Sequence, residues 1–509
     1  MPKSPLIGLF GALLLIWCVG VFGRGYWTPD EPREADIAWR MSWQADKAVP
    51  LLAGEPFCEK PPLTYWLAAV PISLFGPAAW AARLPNLLYA LITAVGMGLL
   101  AQRSSGKFAG LVAAATVSTF LLSYQVAIWL ATDAPLLAAV SVSMLGAYLG
   151  FYASNRPQRL RGYLLMHAAL ALGFLSKSAV AWMVPSLALL TLSIWERRWR
   201  ELFRWELYIG LGVQAVLILS WVYVVYTGTD GLEHLKVFFW NNLVGRFMAV
   251  DAPSQIQYAA GHKNSPGKYF IELPLYLFPW TFAVVAAARR AWRERRHLGD
   301  QGRTVRFAFA ASLPSVLILS LAATARNIYL APALPGVALL LAWWAREIIR
   351  GSDVWDVRAL KLTAAMLLIG VIAFVGALWL VAVDQWDSMA HGAYLVISAT
   401  GLILAVWLAA RAWASAHNRA QHALAALFLA YCALLAGPAS QVYGRIDHWQ
   451  DLSKISRDIH RDAGTAPLVL LSPDETTLAA IDLYAEGTAA QGSTPLVAPD
   501  VRSARNMAG

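Results

Sequence analysis

A series of apolar runs constrains the fold of this 509-residue chain more than any other feature of its sequence. A membrane-spanning helix needs roughly 20 predominantly apolar residues, since no water in the bilayer can satisfy its backbone groups. About thirteen runs approach that length. They are 5–23, 80–101, 108–124, 134–153, 163–176, 178–194, 205–227, 270–288, 307–322, 328–345, 360–383, 392–410 and 420–437. The pattern predicts an all-α polytopic membrane protein whose termini lie on opposite sides of the bilayer.

The distribution of positive charge tests this topology independently. If the N-terminus is cytoplasmic, the short loops on that side hold more than half of the 41 lysines and arginines, as the positive-inside rule expects. The net charge of +10 would suggest a polyanion partner in a soluble protein, but here it follows from the topology, and we expect no nucleic-acid partner. The three cysteines form no disulfide framework.

The polar stretch 26–67 concentrates acidic and basic residues in a chain that is only 14% charged. Its acidic clusters contain proline, in Asp30-Glu-Pro-Arg33 and Glu59-Lys-Pro-Pro62, and proline restricts the backbone around the carboxylates. Aromatic side chains alternate with the charges, as in a segment that lies along the bilayer surface. An ordinary solvated loop is the alternative. We predict that this stretch is the active-site loop.

Other ionisable residues beside apolar runs fall on the same, outer side of the predicted topology. They are Asp133, Lys177, Arg246, His262 and Arg326. Charges near the membrane are functional candidates because their desolvation is costly, and their one-sided placement indicates a single outward-facing cavity. Simpler interpretations also exist: Asp133 as a helix cap, Lys177 as the charge of a short hairpin, and His262 as a solvated loop histidine.

The domain organisation follows from the same runs. Residues 1–437 form the predicted transmembrane domain, with a first outer loop at 24–79 and a long outer loop at 228–269. Residues 438–509 are predicted to form a small α/β appendage on the outer side. No internal repeat is evident in the sequence.

Several motifs together resemble those of bacterial polyprenyl-phosphate-dependent glycosyltransferases of the GT-C class. The chain is most similar to the undecaprenyl-phosphate aminoarabinose transferase family, which modifies lipid A, and more distantly to protein O-mannosyltransferases. The motifs are Asp30-Glu-Pro-Arg33, Ala35–Met41, Pro56–Leu67, Ala131-Thr-Asp-Ala-Pro135, Phe174–Val180, Phe238–Phe247, His262 before Pro266 and Tyr269, and Ala325–Pro332. Ser176-Lys177-Ser178 departs from the usual Thr-Lys-Gly, and a lysine is more usual near Arg326.

The resemblance implies a 13-span GT-C fold and a periplasmic active site in the bacterial inner membrane, where a sugar is transferred with inversion from a polyprenyl-phosphate donor. It further implies a site composed of catalytic Asp30 and Asp133, of donor-phosphate ligands Arg33, Lys60, Lys177, Arg246 and Arg326, and of a divalent-metal pair, Glu59 and His262. The metal is the only cofactor that it implies.

The acceptor decides the chemistry that the carboxylates must perform. A hydroxyl acceptor needs a general base, and Asp30 would supply it. A lipid A phosphate is already an anionic nucleophile, so Asp30 and Asp133 would instead position it or stabilise charge.

Three alternative functions remain open at this stage: transfer to protein hydroxyls, lipid transport or flipping, and a receptor or scaffold role. A transporter would show inverted repeats and mid-membrane charges, neither of which is evident in the sequence. A scaffold leaves the acidic loop unexplained.

Overall fold

The computed structural model describes residues 4–244, 265–321, 326–384, 391–464, 468–484 and 496–498. The helices of the first half are α1 (Ser4–Phe22), α2 (Asp30–Trp43), α3 (Leu63–Phe75), α4 (Ala79–Ser105), α5 (Lys107–Thr119), α6 (Leu121–Ile128), α7 (Asp133–Phe151), α8 (Arg156–Lys177), α9 (Val180–Trp195), α10 (Trp205–Thr227) and α11 (Gly231–Lys236). Those of the second half are α12 (Lys268–Tyr276), α13 (Thr281–Glu294), α14 (Gly302–Ala310), α15 (Leu313–Leu321), α16 (Leu334–Arg350), α17 (Val354–Asp384), α18 (His391–Ser415), α19 (Ala420–Ala436), α20 (Pro438–Gln450), α21 (Ser453–Ala463) and α22 (Glu475–Leu483).

Short elements complete the described chain. Three 3-10 turns lie at Trp199–Phe203, Gly299–Gln301 and Asn327–Ala333, and a π-helical turn lies at Val237–Leu243. Strands β1 (Leu51–Leu52) and β2 (Glu55–Pro56) pair antiparallel, with Leu51 opposite Pro56. Strands β3 (Val469–Leu471) and β4 (Leu496–Ala498) pair in parallel, with Val469 opposite Leu496.

The helices confirm a mostly helical membrane architecture. Among the described residues, nine helical segments are long and apolar enough to cross a bilayer, and two bent pairs raise the number to eleven. The bent pairs are α5 with α6, at 68°, and α12 with α13, at 113°. The sequence pattern predicts thirteen spans, and the difference lies in α8 and α9, which are helical but more polar or shorter than a typical span.

The two helix breaks meet each other inside the bundle. The amide of Leu121, the first residue of α6, donates to the carbonyl of Phe278 at 2.9 Å, and Phe278 lies in the break between α12 and α13. The indole of Trp280 donates to the hydroxyl of Thr119 at 2.9 Å across the same contact. Broken helices are tolerated within a membrane when their freed polar groups find partners in the protein, and each break supplies partners to the other.

Helices α7 and α8 form a close antiparallel hairpin that positions part of the site. A Cβ atom on Gly162 would lie 2.3 Å from the backbone nitrogen of Gly150, and one on Gly146 would lie 2.5 Å from that of Met166. Small residues at such positions let helix backbones approach in a membrane. The hairpin brings the first residue of α7, Asp133, beside the last residue of α8, Lys177.

The stretch predicted as the active-site loop is a folded unit. It contains helix α2, the hairpin β1–β2 and helix α3, and the proline of Asp30-Glu-Pro-Arg33 lies in the first turn of α2. The predicted loop therefore contains regular structure, because proline is compatible with the first turn of a helix, where the amide hydrogen that it lacks has no intrahelical partner. The helix places residues three and four apart on one face.

The C-terminal segment packs on this folded unit. The hydroxyl of Thr476 donates to the carbonyl of Pro29 at 2.9 Å, and the indole of Trp27 donates to Asp447. Ala479 and Leu483 of α22 are buried in the same hydrophobic cluster as Ala35 and Tyr65 of the first unit. Helix α22 therefore forms part of the wall around α2, although it lies more than 430 residues away in sequence.

A buried ion cluster anchors the start of α2 to the membrane helices. Glu31 is fully buried and accepts hydrogen bonds from the guanidinium groups of Arg24 and Arg83, the latter at 2.7 and 2.9 Å. The backbone amides of Trp27 and Leu130 donate to it at 2.8 Å each. Burial would raise the pKa of Glu31, but the two arginines lower it to about 2. Glu31 is therefore a fixed anion that holds the start of α2 against the membrane helices.

Candidate active site

Asp30 forms an ion pair with Arg326, which is distant in the sequence. Arg326 Nη1 donates to Asp30 Oδ1 at 3.0 Å, and the two side chains are 53% and 25% exposed, respectively. Burial lowers the pKa of Arg326, but Asp30 reverses this effect and raises it. Asp30 also begins α2, where the positive end of the helix dipole favours a carboxylate. The pair is accessible to a substrate, and the guanidinium of Arg326 stays protonated at neutral pH.

Asp133 and Lys177 form a second, more buried ion pair at the open end of the α7–α8 hairpin. Lys177 Nζ lies 2.5 Å from Asp133 Oδ1, and only 10% and 5% of the two side chains are exposed. The ammonium group also lies 4.5 Å from the ring centroid of Tyr329, within the range of a cation–π contact. The N-cap residue of α7, Thr132, makes no side-chain capping bond. The lysine, not a capping interaction, is the partner that the structure gives Asp133.

A third group of charges lies one turn further along α2, around Arg33 and Glu34. Lys60 Nζ donates to Glu34, and the guanidinium of Arg33 contacts Glu475 of α22 at 2.5 Å. Burial would lower the pKa of Lys60, but the neighbouring carboxylates, Glu34 foremost and then Glu59, raise it. Burial would likewise lower the pKa of Arg33, whereas Glu475 and the other nearby carboxylates raise it. Both cations are therefore held in their charged form.

These groups form one electrostatic neighbourhood. Arg326 is affected by the charges of both Asp30 and Asp133, and Arg33 is affected by both Asp30 and Glu59. The structure thus brings together the predicted residues that it describes. They are Asp30, Arg33, Glu59, Lys60, Asp133, Lys177 and Arg326. Such a site can hold a phosphate group on its cations while a carboxylate faces the reacting atoms.

Two predicted site residues, Arg246 and His262, lie outside the described residues. Their predicted roles in binding phosphate and metal are therefore not tested by the geometry. Within the described ranges, no group of three or more histidine, cysteine, aspartate or glutamate side chains forms a metal-binding cluster. Glu59 lies instead beside the cations Arg33 and Lys60, and its carbonyl accepts a hydrogen bond from Asn242. A divalent metal at Glu59 would need His262 and further oxygen ligands to complete its coordination.

Sequence reasoning missed four residues that complete these contacts: Glu34, Tyr329, Asn242 and Glu475. Glu34 lies one turn beyond Asp30, so a helical interpretation of the first motif would have placed it on the same face. Asn242 lies in a π-helical turn, a feature that is frequent at functional sites but has no simple sequence signature. Glu475 reaches the site only through long-range packing.

Comparisons with known proteins identify several similar chains. Residues 59–225 match the family model described as dolichyl-phosphate-mannose-protein mannosyltransferase. The undecaprenyl phosphate-alpha-4-amino-4-deoxy-L-arabinose arabinosyl transferase of Pseudomonas aeruginosa strain UCBPP-PA14 is 29% identical over 66% of this chain and 58% of its own length. A transferase of the same name, numbered 2, from Pseudomonas fluorescens strain Pf0-1 is 26% identical over 90% of this chain and 81% of its own. The chain thus spans less than two thirds of the first relative.

A solved structure shows the same fold. The crystal structure of ArnT from Cupriavidus metallidurans bound to undecaprenyl phosphate superposes with a TM-score of 0.75 at 17% identity, covering 99% of this chain and 88% of that one. The resemblance that the motifs predicted is confirmed, and so is the predicted GT-C fold in its coarse form.

Proposed function

We propose that this protein is an inverting glycosyltransferase of the bacterial inner membrane. It moves a sugar, 4-amino-4-deoxy-L-arabinose in the version we favour, from a polyprenyl-phosphate donor to lipid A or another envelope glycolipid on the periplasmic face. The observation that carries the proposal is the convergence of two acid–cation pairs, Asp30 with Arg326 and Asp133 with Lys177, at one end of a bundle with this fold. The names of the relatives supply the sugar and the carrier.

The cations receive the donor phosphate in this proposal. Breaking the bond between the anomeric carbon and the phosphate oxygen leaves polyprenyl phosphate as a dianion, and preorganised cations stabilise that charge as it develops. Arg33, Lys60, Lys177 and Arg326 are the described candidates, and each already faces a carboxylate. Arg246 is the fifth candidate. A donor phosphate would share or replace these carboxylate contacts.

Asp30 is the principal catalytic carboxylate, and Asp133 is the second. The part of Asp30 that remains exposed leaves room for an acceptor, whereas Asp133 is nearly enclosed. With a hydroxyl acceptor, Asp30 takes the proton as the new glycosidic bond forms. With a lipid A phosphate, which needs no base, the two carboxylates position the acceptor and stabilise positive charge on the sugar.

The full topology comprises thirteen spans in this proposal. The nine apolar segments and the two bent pairs account for eleven, and α8 and α9 supply the other two. Helix α8 has 22 residues, enough to cross a bilayer, and its arginines lie in its first turns, where they can reach the interface. The N-terminus then lies in the cytoplasm and the appendage formed by 438–509 lies in the periplasm. Cysteine labelling with an impermeant maleimide tests this: position 55 should react in intact cells, and position 296 only after lysis.

The metal pair of Glu59 and His262 remains part of the proposal. Removal of divalent cations with a chelator, followed by a transfer assay and by measurement of the metal bound to the purified protein, tests it. Transfer that persists in a metal-free protein would remove the metal from the account.

Two other functions remain as alternatives. Transfer to protein hydroxyls is favoured by the match of residues 59–225 to the mannosyltransferase family model. A lipid transporter or flippase is the alternative outside enzymes, and it predicts movement of the donor lipid without cleavage of its sugar.

Purified protein in liposomes separates these possibilities. The liposomes contain an undecaprenyl-phosphate-linked aminoarabinose donor and either lipid A or a serine- and threonine-containing peptide as the acceptor. The proposal predicts a labelled lipid A product and release of undecaprenyl phosphate, both lost in Asp30→Asn and retained in Glu55→Gln, a control whose side chain is exposed. Release with the peptide alone would favour the first alternative, and no release with either acceptor would contradict transfer.

A further inference from the structure

A second polar cavity, of about 720 Å³, opens at the opposite end of the molecule from the candidate active site. It is lined by residues at the end of α7, at the end of α9 and in α14, among them Tyr152, Glu196 and Arg303. Asp133 begins α7 and Tyr152 directly follows its last residue, so the helix separates the two sites by about 28 Å, close to the thickness of the hydrocarbon core. The cavity therefore lies at the other membrane face, which the charge distribution predicts to be cytoplasmic.

Three arginines and one carboxylate converge on this cavity. Arg306 Nε donates to Glu196 Oε1 at 2.7 Å, and the hydroxyl of Tyr152 donates to the same oxygen at 2.6 Å. Arg198 is held by Glu201 at 2.9 Å, and its guanidinium lies 4.6 Å from the ring centroid of Phe151. The arginines are thus ordered by contacts with neighbouring residues, and the lining retains an excess of positive charge.

Arg303 is the cation that is free to bind a ligand. It is exposed, it makes no ion pair within the described part of the chain, and its guanidinium lies 5.6 Å from the ring centroid of Tyr152. A guanidinium held against an aromatic ring keeps its hydrogen-bond donors available at its edge, in a geometry that matches phosphate oxygens. Arginines that served only to set the membrane topology could lie anywhere on the cytoplasmic face and would not need to line one cavity. Here three arginines, one from the segment after α9 and two from α14, face one space of about 720 Å³.

Exposed tryptophans at the rim of the cavity indicate where a phosphate-bearing ligand would come from. Trp195, which lines the cavity, is 51% exposed, and Trp199 and Trp205 on the following segment are 48% and 45% exposed. Exposed tryptophans at the ends of membrane helices lie at the level of the lipid headgroups. Because the cavity opens at the level of the headgroups, lipid phosphates of the surrounding membrane are closer to it than anions in solution.

We infer that this cavity binds the phosphate group of an anionic phospholipid of the cytoplasmic leaflet. Basic pockets between helices on the cytoplasmic side are suited to such headgroups. Arg303 makes the direct phosphate contact, Arg198 and Arg306 add positive potential, and the tryptophans contact the glycerol and upper acyl region. The inference is independent of the proposed glycosyltransferase activity, since it concerns a different face of the protein and different residues.

Native mass spectrometry of the full-length protein in a neutral detergent tests the inference. Phosphatidylglycerol is titrated into the wild type, Arg303→Gln and Arg296→Gln. Arg296 is a matched control because it is an exposed arginine of the same predicted face that does not line the cavity. Arg326→Gln is a second control, which reports phospholipid binding to the candidate active site. Phosphatidylcholine and pyrophosphate are the other probes.

We expect Arg303→Gln to weaken phosphatidylglycerol binding roughly fivefold, the effect of one basic residue near a phosphate-bearing surface. The Arg296→Gln control should bind like the wild type, and phosphatidylcholine should bind weakly to every variant. Equal binding by the wild type and Arg303→Gln would overturn the inference, as would a loss confined to Arg326→Gln. Pyrophosphate binding that depends on Arg303, without phospholipid binding, would also overturn it and assign the cavity to a soluble anion.

Discussion

Replacement of Glu31 by glutamine tests how the first outer unit is held to the membrane helices. The carboxylate of Glu31 accepts from two arginines and two backbone amides, and its side chain is fully buried. A fall in its pKa from 4.5 to about 2 corresponds to about 3 kcal/mol, at about 1.36 kcal/mol per pKa unit. Loss of one partner from a buried ion pair costs about 3–5 kcal/mol, which agrees with this value. We therefore expect Glu31→Gln to destabilise the protein by about 3 kcal/mol.

Thermal unfolding in detergent, followed by fluorescence-detected size-exclusion chromatography, measures this effect. The midpoint should fall by roughly 3 °C for a chain of this size. Glu55→Gln removes a carboxylate from an exposed position in the same unit and should leave the midpoint unchanged. The pH dependence has a definite sign: the lowered pKa stabilises the fold above about pH 4.5, and this contribution is lost as the pH falls toward 2. A Glu31→Gln midpoint equal to that of the wild type would refute the reasoning.

Three further predictions concern the charges around α2 and the site. Burial and the adjacent carboxylate of Asp482 raise the pKa of Asp36 well above 3.8, so its contribution to stability is complete at low pH and is lost as the pH rises through the raised value. Asp36→Asn should therefore raise the melting temperature at pH 7–8 and flatten its pH dependence; a lower midpoint would contradict this. Lys177→Gln should reduce kcat/KM for the donor roughly 100-fold, with partial rescue by Lys177→Arg, as kinetics in liposomes will reveal. Glu475→Gln should free Arg33 and lower the donor KM roughly two- to fivefold, and an increased KM would count against phosphate binding there.

The membrane architecture could be foreseen from the sequence because it depends on local signals, whereas the site residues were predicted from the resemblance of short motifs. Apolar runs report spans directly, and the motif around Asp30 carries its own charge pattern. The helix of Asp30–Trp43 could not be foreseen in the same way, since the prolines and charges of the motif favoured a loop. Its stability comes from the buried cluster around Glu31 and from packing against α22.

Ion pairs between residues far apart in the chain could not be predicted from the sequence. Arg326 contacts Asp30 across 296 positions of the sequence, and Glu475 contacts Arg33 across 442 positions. The motif resemblance predicts both arginines as phosphate ligands but offers no indication that each faces a carboxylate. The cavity beside Arg303 was also missed, because the basic residues of that face had been explained by topology alone.

Mass spectrometry of lipid A and total envelope glycolipids tests the central claim most directly. The samples come from cells that lack the gene and from the same cells complemented with the wild type or with Asp30→Asn, with membrane insertion of each protein verified. The account predicts an aminoarabinose-sized addition on a lipid A phosphate only with the wild type. The same addition in cells that carry a folded Asp30→Asn protein, or an envelope glycolipid profile that does not change with the gene, would contradict it.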